Sequence, residues 1–70
     1  MERTPVSSSI LESVGYDPET QTLEVEFKEG GIYRYFEVPE SVYNGLLSVD
    51  SHGSFYAEHI KHSFPFEHVR

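Results

Sequence analysis

Alternation of apolar and polar residues is clearest in Thr22–Phe27, where Leu23, Val25 and Phe27 are interleaved with Glu24 and Glu26. A period of two predicts a half-buried strand. Glu29-Gly30-Gly31 interrupts that pattern, and Ile32 to Val38, rich in aromatic and β-branched residues, predicts its partner strand. Glycine reaches the positive φ of a tight hairpin, and a three-residue loop puts Tyr33 and Tyr35 on the side of Val25 and Phe27. Arg34 then stands across from Glu24 or Glu26 on the outer face. Ile32 and Phe36 accompany it there and need cover.

Upstream, Ile10 to Tyr16 reads as a further strand, with Ile10, Val14 and Tyr16 on one face. Gly15 inside it marks a bulge or a close backbone approach. Asp17-Pro18-Glu19-Thr20 supplies the turn, since proline presets φ and aspartate bonds its own backbone. Downstream, Val38-Pro39 ends the sheet, and Glu40 sits where a carboxylate favours a helix start. Val42, Leu46 and Val49 recur at helical spacing with Tyr43 and Leu47 beside them, and Gly45 leaves room for a close neighbour. Asp50 or Ser51 caps a second helix from about Ser54 to His62, with Phe55, Tyr56 and Ile60 as its apolar side. Pro65 bars further helix, so Phe64, Phe66 and Val69 read as an extended tail that packs back.

The pattern predicts the α+β class: a three-stranded antiparallel β-meander followed by two short helices and an extended C-terminal tail. Residues 1–7 read as a loosely ordered lead, and residues 8–70 as a single domain. With 70 residues and no cysteine, the core rests on its five Phe and five Tyr rather than on disulfides or a thiolate metal site. No apolar run is long enough for a membrane span, and Met1 to Pro5 lacks the apolar stretch of a signal peptide, so a cytoplasmic location is expected. The net charge of −7 opposes attraction to phosphate backbones and anionic membranes.

Ser8-Ser9 precedes the first strand, and Tyr16-Asp17 stands at its turn. Leu23-x-Val25-x-Phe27 is followed by Gly31-Ile32-Tyr33-Arg34-Tyr35 and Val38-Pro39, then by Tyr43, Leu46, Ser51-x-Gly53, Phe55 and Ile60. In that order and spacing the chain resembles the KTSC domain from Ser8 to about Val69. The family is named for the C-terminus of certain lysyl-tRNA synthetases and also occurs alone in bacterial proteins. The resemblance implies a Tyr-x-Tyr at Tyr33 and Tyr35, a suggested RNA-binding role and no known catalytic residue. After Ile60 this chain carries less Arg and Lys than the family pattern leads one to expect.

Candidate chemistry is sparse. Tyr33 and Tyr35 have the spacing of base-stacking aromatics, yet the hairpin parity turns both rings toward the core. His59 and His62, three apart on the second helix, are a weak candidate metal pair without a third ligand in motif. Asp50-Ser51-His52 contains the residue types of a nucleophilic site, but neighbours on a helical connector serve as caps. No catalytic residue, cofactor or small-molecule substrate is implied. The expectation is therefore a non-enzymatic macromolecule-binding module. A protein partner or self-association is favoured, through Glu24, Glu26, Ile32, Arg34 and Phe36. The alternatives are weak RNA binding through Tyr33, Arg34, Tyr35, Lys61 and Arg70, and an acidic decoy for a nucleic-acid-binding protein.

Overall fold

A computed structural model describes residues 2–70 and shows two layers, one sheet and one helical. Five strands, β1 (Thr4–Pro5), β2 (Leu11–Asp17), β3 (Thr22–Phe27), β4 (Ile32–Tyr35) and β5 (Phe66–His68), pair antiparallel in the order β1-β2-β3-β4-β5. Helix α1 (Glu40–Ser48) and helix α2 (His52–Phe55) lie between β4 and β5 in the chain. The backbone of α2 continues through one π-helical turn, Tyr56–Ile60, in which the Lys61 N–H donates to the Tyr56 carbonyl at 3.0 Å.

The α+β class and the central meander are as expected, but the sheet has two more strands than the three the sequence suggests. The reason is length. Two- and three-residue strands, β1 and β5, are too short for a period of two to be read. The N-terminal segment expected to lead in loosely pairs Thr4 with Val14 and Pro5 with Ser13. The second helix also starts earlier than expected, because Ser51 is its cap and accepts from the Ser54 N–H at 3.4 Å.

Register follows from turn chemistry. Asp17 Oδ1 accepts from the Glu19 N–H at 3.0 Å, closing the β2–β3 turn as the Asp-Pro pair predicts. The β3–β4 loop has three residues, as expected, but they are Lys28-Glu29-Gly30: the Phe27 N–H donates to the Gly31 carbonyl at 2.8 Å. Gly30 holds φ at 112°, the glycine position of this loop type. In β2 the register shifts between Leu11 and Ser13. That bulge turns Leu11 inward and leaves Ile10 52% exposed, contrary to the expected Ile10-Val14-Tyr16 face. At Gly15 the Glu2 carbonyl comes so close that a Cβ would collide with it, which is the close approach that glycine suggested.

The inner face of the sheet packs on the helices. Leu11, Val14, Leu23, Val25, Phe27 and Tyr35 form one core with Val38, Leu46, Tyr56 and Ile60. Tyr16 ties β2 to α1, its ring stacked on Tyr43 at 5.1 Å and its hydroxyl donating to the Val38 carbonyl.

Candidate functional site

The outer face of the sheet, expected to meet a partner, is instead closed by the chain itself. Glu24 and Arg34 are paired across the β3–β4 hairpin, as the parity predicts. Arg3, delivered by β1, reaches over the same face. Glu24 therefore sits between two guanidinium groups, accepting from Arg34 Nε at 2.9 Å through Oε1 and from Arg3 Nη1 through Oε2. Arg3 also donates to Ser13 Oγ at 3.1 Å, and Ser13 donates to Glu26 Oε1 at 2.9 Å. Burial alone would raise the Glu24 carboxyl pKa, but the hydrogen bonds and charges of Arg34 and Arg3 outweigh it and hold it below its ordinary value.

This overturns part of the expected contact surface. Glu24 is 3% exposed and Ile32 5%, so neither offers a side chain to a visitor. Glu26, Arg34 and Phe36 are half-buried around them. Only Glu26, Arg34 and Phe36 of the expected set keep partly exposed side chains on this face.

The opposite face carries the concavity. Val25 pairs with Tyr33 and Leu23 with Tyr35, so both tyrosines stand on the inner side, as expected. Tyr35 is buried, and its hydroxyl hydrogen-bonds that of Tyr56. Burial pushes both phenol pKa values up, so the pair is a neutral O–H···O contact. Tyr33 is half-buried, with Phe27 edge-on at 5.6 Å and the His68 imidazole stacked at 4.5 Å.

Beside these rings lies a groove of about 630 Å3. Phe27, Tyr33 and Tyr35 from the sheet, Tyr56 from the π-helical turn and Phe66 from β5 line it. Lys28 from the hairpin loop and Lys61 and His62 from the end of the helical segment also line it. Of the chain's twelve acidic residues, only Glu29 does so among the described residues. Arg3 and Arg34 are engaged with Glu24, whereas Lys28 and Lys61 enter no ion pair among the described residues.

The residues expected for RNA are therefore only partly assembled. Tyr33, Tyr35 and Lys61 meet at the groove, Arg34 lies on the other side of the sheet, and Arg70 follows β5. The candidate metal pair is separated in role: His62 lines the groove, while His59 rests against Phe55 at 4.6 Å. Among the described residues no three His, Cys, Asp or Glu side chains are placed to hold a metal ion. Phe27, Lys28, Tyr56 and Phe66 are groove residues that sequence reasoning did not single out. Parity places Phe27 on this side, and Tyr56 and Phe66 show in the sequence as an apolar helix side and a tail that packs back, but no local signal says that they meet here.

Comparison with known proteins gives one consistent result. The chain is 47% identical to an uncharacterized protein of Stutzerimonas stutzeri over 70 residues, covering 100% of this chain and 93% of that protein. It is 39% identical to a lysine–tRNA ligase of Nostoc punctiforme over 61 residues, 87% of this chain but 11% of the ligase. A crystal structure of a KTSC domain protein from Yersinia pestis superposes with a TM-score of 0.96 at 40% identity, covering 99% of this chain and 97% of that one. The KTSC domain family model matches residues 7–64, and the chain belongs to the KTSC domain family.

Proposed function

We propose that this domain is a non-catalytic module that holds single-stranded RNA weakly in the aromatic groove. One observation carries the reading: Lys28 and Lys61, two of the chain's five fixed positive charges, line the same groove as Phe27, Tyr33, Tyr35 and Tyr56. Bases stack on aromatic side chains and phosphates seek nearby cations, so this pairing of residue types suits a flexible polynucleotide. The net charge of −7 argued for a protein partner, but only one of the acidic side chains lines the groove. Membership of a family whose relatives include a lysine–tRNA ligase adds a second support.

On the outer face the Arg3 and Arg34 guanidinium groups are already engaged by Glu24, which makes that surface the poorer candidate. The test is a titration of the protein with mixed-sequence single-stranded RNA at low salt. Binding is expected, with Tyr33→Ala weakening it by roughly ten-fold, the scale of one lost base stack, and Lys61→Ala weakening it at low salt and flattening its salt dependence. No shift with the parent protein would remove the RNA reading. A mass above the monomer, or competition with nucleic acid for another protein, would instead favour self-association or the acidic decoy.

A further inference from the structure

The rings that base stacking needs are already covered from within the chain. β5 lies antiparallel along β4, with His68 opposite Tyr33 and Phe66 opposite Tyr35. The His68 imidazole lies over Tyr33 at 4.5 Å with the planes 12° apart. Phe66 tilts against Tyr35 at 5.6 Å and Tyr33 at 5.8 Å and forms one wall of the groove. Two rings at alternate positions of an extended strand thus pack on Tyr33 and Tyr35.

That strand is lightly held. All three of its residues are exposed, Phe66 to 56%, and it contributes nothing to the core cluster among the described residues. Its flanks are tied by backbone hydrogen bonds at the sheet edge. Ile32 N–H donates to the Arg70 carbonyl at 2.7 Å, Val69 N–H to the Ile32 carbonyl at 2.8 Å, and Phe36 N–H to the Pro65 carbonyl at 2.9 Å. Segments with few buried contacts open well below the free energy of global unfolding.

We propose that β5 is a displaceable cover, competing within the chain for Tyr33 and Tyr35 against the RNA that would stack there. The competitor role rests on the reading of the groove as an RNA site; the detachment of the strand does not. A ligand that binds only the open form shows an affinity reduced by the open fraction. Weakening a cover that is in place nine-tenths of the time therefore tightens apparent binding by up to about ten-fold.

The experiment uses the full chain and the double variant Phe66→Ala/His68→Ala. Amide hydrogen exchange reads the cover directly, because the Ile32 and Phe36 amides donate to the tail and the Val25 amide lies in central β3. In the parent, Ile32 and Phe36 are expected to exchange faster than Val25, and the variant should speed them further with Val25 unchanged. Mixed-sequence single-stranded RNA should then bind the variant several-fold more tightly. Exchange at Ile32 and Phe36 as slow as at Val25 in both proteins would overturn the proposal, since β5 would be an integral strand. A loosened tail with equal or weaker RNA binding would overturn the competitor role while leaving the RNA reading in place. Failure of the parent protein to bind RNA would remove that reading and the competitor role together, with the exchange rates still deciding whether the strand lifts.

Discussion

Glu24 is the residue on which the outer face turns. A buried carboxylate is tolerated here because two guanidinium groups satisfy it, and an amide in its place leaves one acceptor oxygen and an opposing NH2 donor for the two of them. Glu24→Gln is expected to cost about 1–3 kcal/mol in urea unfolding at neutral pH. Because the folded-state pKa is depressed, the contribution of Glu24 is fully present above about pH 4.5, its ordinary value, and is lost as pH falls through the lower folded value. Stability measured across that acid range should therefore slope less in the variant than in the parent. Inside the core, the Tyr35–Tyr56 hydroxyl pair makes a second residue-level prediction. Tyr35→Phe or Tyr56→Phe alone strands a buried hydroxyl at about 1–3 kcal/mol, whereas the double variant should cost less than the two together. The side of the sheet on which Glu24 and Tyr35 stand was legible beforehand, since one alternating run and one loop length determine it. The depth of Glu24 was not. Its second partner, Arg3, comes from a segment with no periodic signal.

Among the elements, those with whole periods were readable and those without were not. Leu23-Val25-Phe27 and Val42-Leu46-Val49 announce β3 and α1, while β1 is too short to announce anything and β5 shows only as an extended tail after Pro65. The bulge at Leu11/Ser13 reverses parity for Ile10 and Leu11, a local change that no alternating pattern records. Gly45 shows how an element can be shaped for its neighbour. Alanine normally stabilises a helix interior over glycine by about 1 kcal/mol. Here its Cβ would stand 2.9 Å from Phe55 Cζ, so Gly45→Ala is expected to lower thermal stability by a net of about 1 kcal/mol. Combining it with Phe55→Leu should recover part of that loss. If Gly45→Ala instead raises the melting temperature, the α1–α2 contact is looser than the ring distance implies.

For the molecule as a whole, charge distribution matters more than net charge. The acidity suggested a surface hostile to phosphate, but two arginines are drawn to Glu24 and two lysines to the groove. Bulk composition could not reveal that partition, because it depends on which loops converge. Two lysines limit what the groove can do. For single strands the salt slope is about −0.7 per phosphate contact, so the logarithm of affinity should fall by only about 1.4 per decade of salt. A slope several times steeper, measured by titration at several ionic strengths, would mean that more cations engage than the groove presents.

The order of strands in the sheet also bears on how the chain acquires its shape. β1, β2 and β3 each pair with the strand that follows closely in the chain, whereas β5 reaches β4 only after residues 36–65 have been spanned. Closing that long loop costs entropy which the neighbouring hairpins avoid. The last strand should accordingly arrive after the rest has condensed, so substitutions within it should alter the unfolding rate and leave the refolding rate nearly untouched.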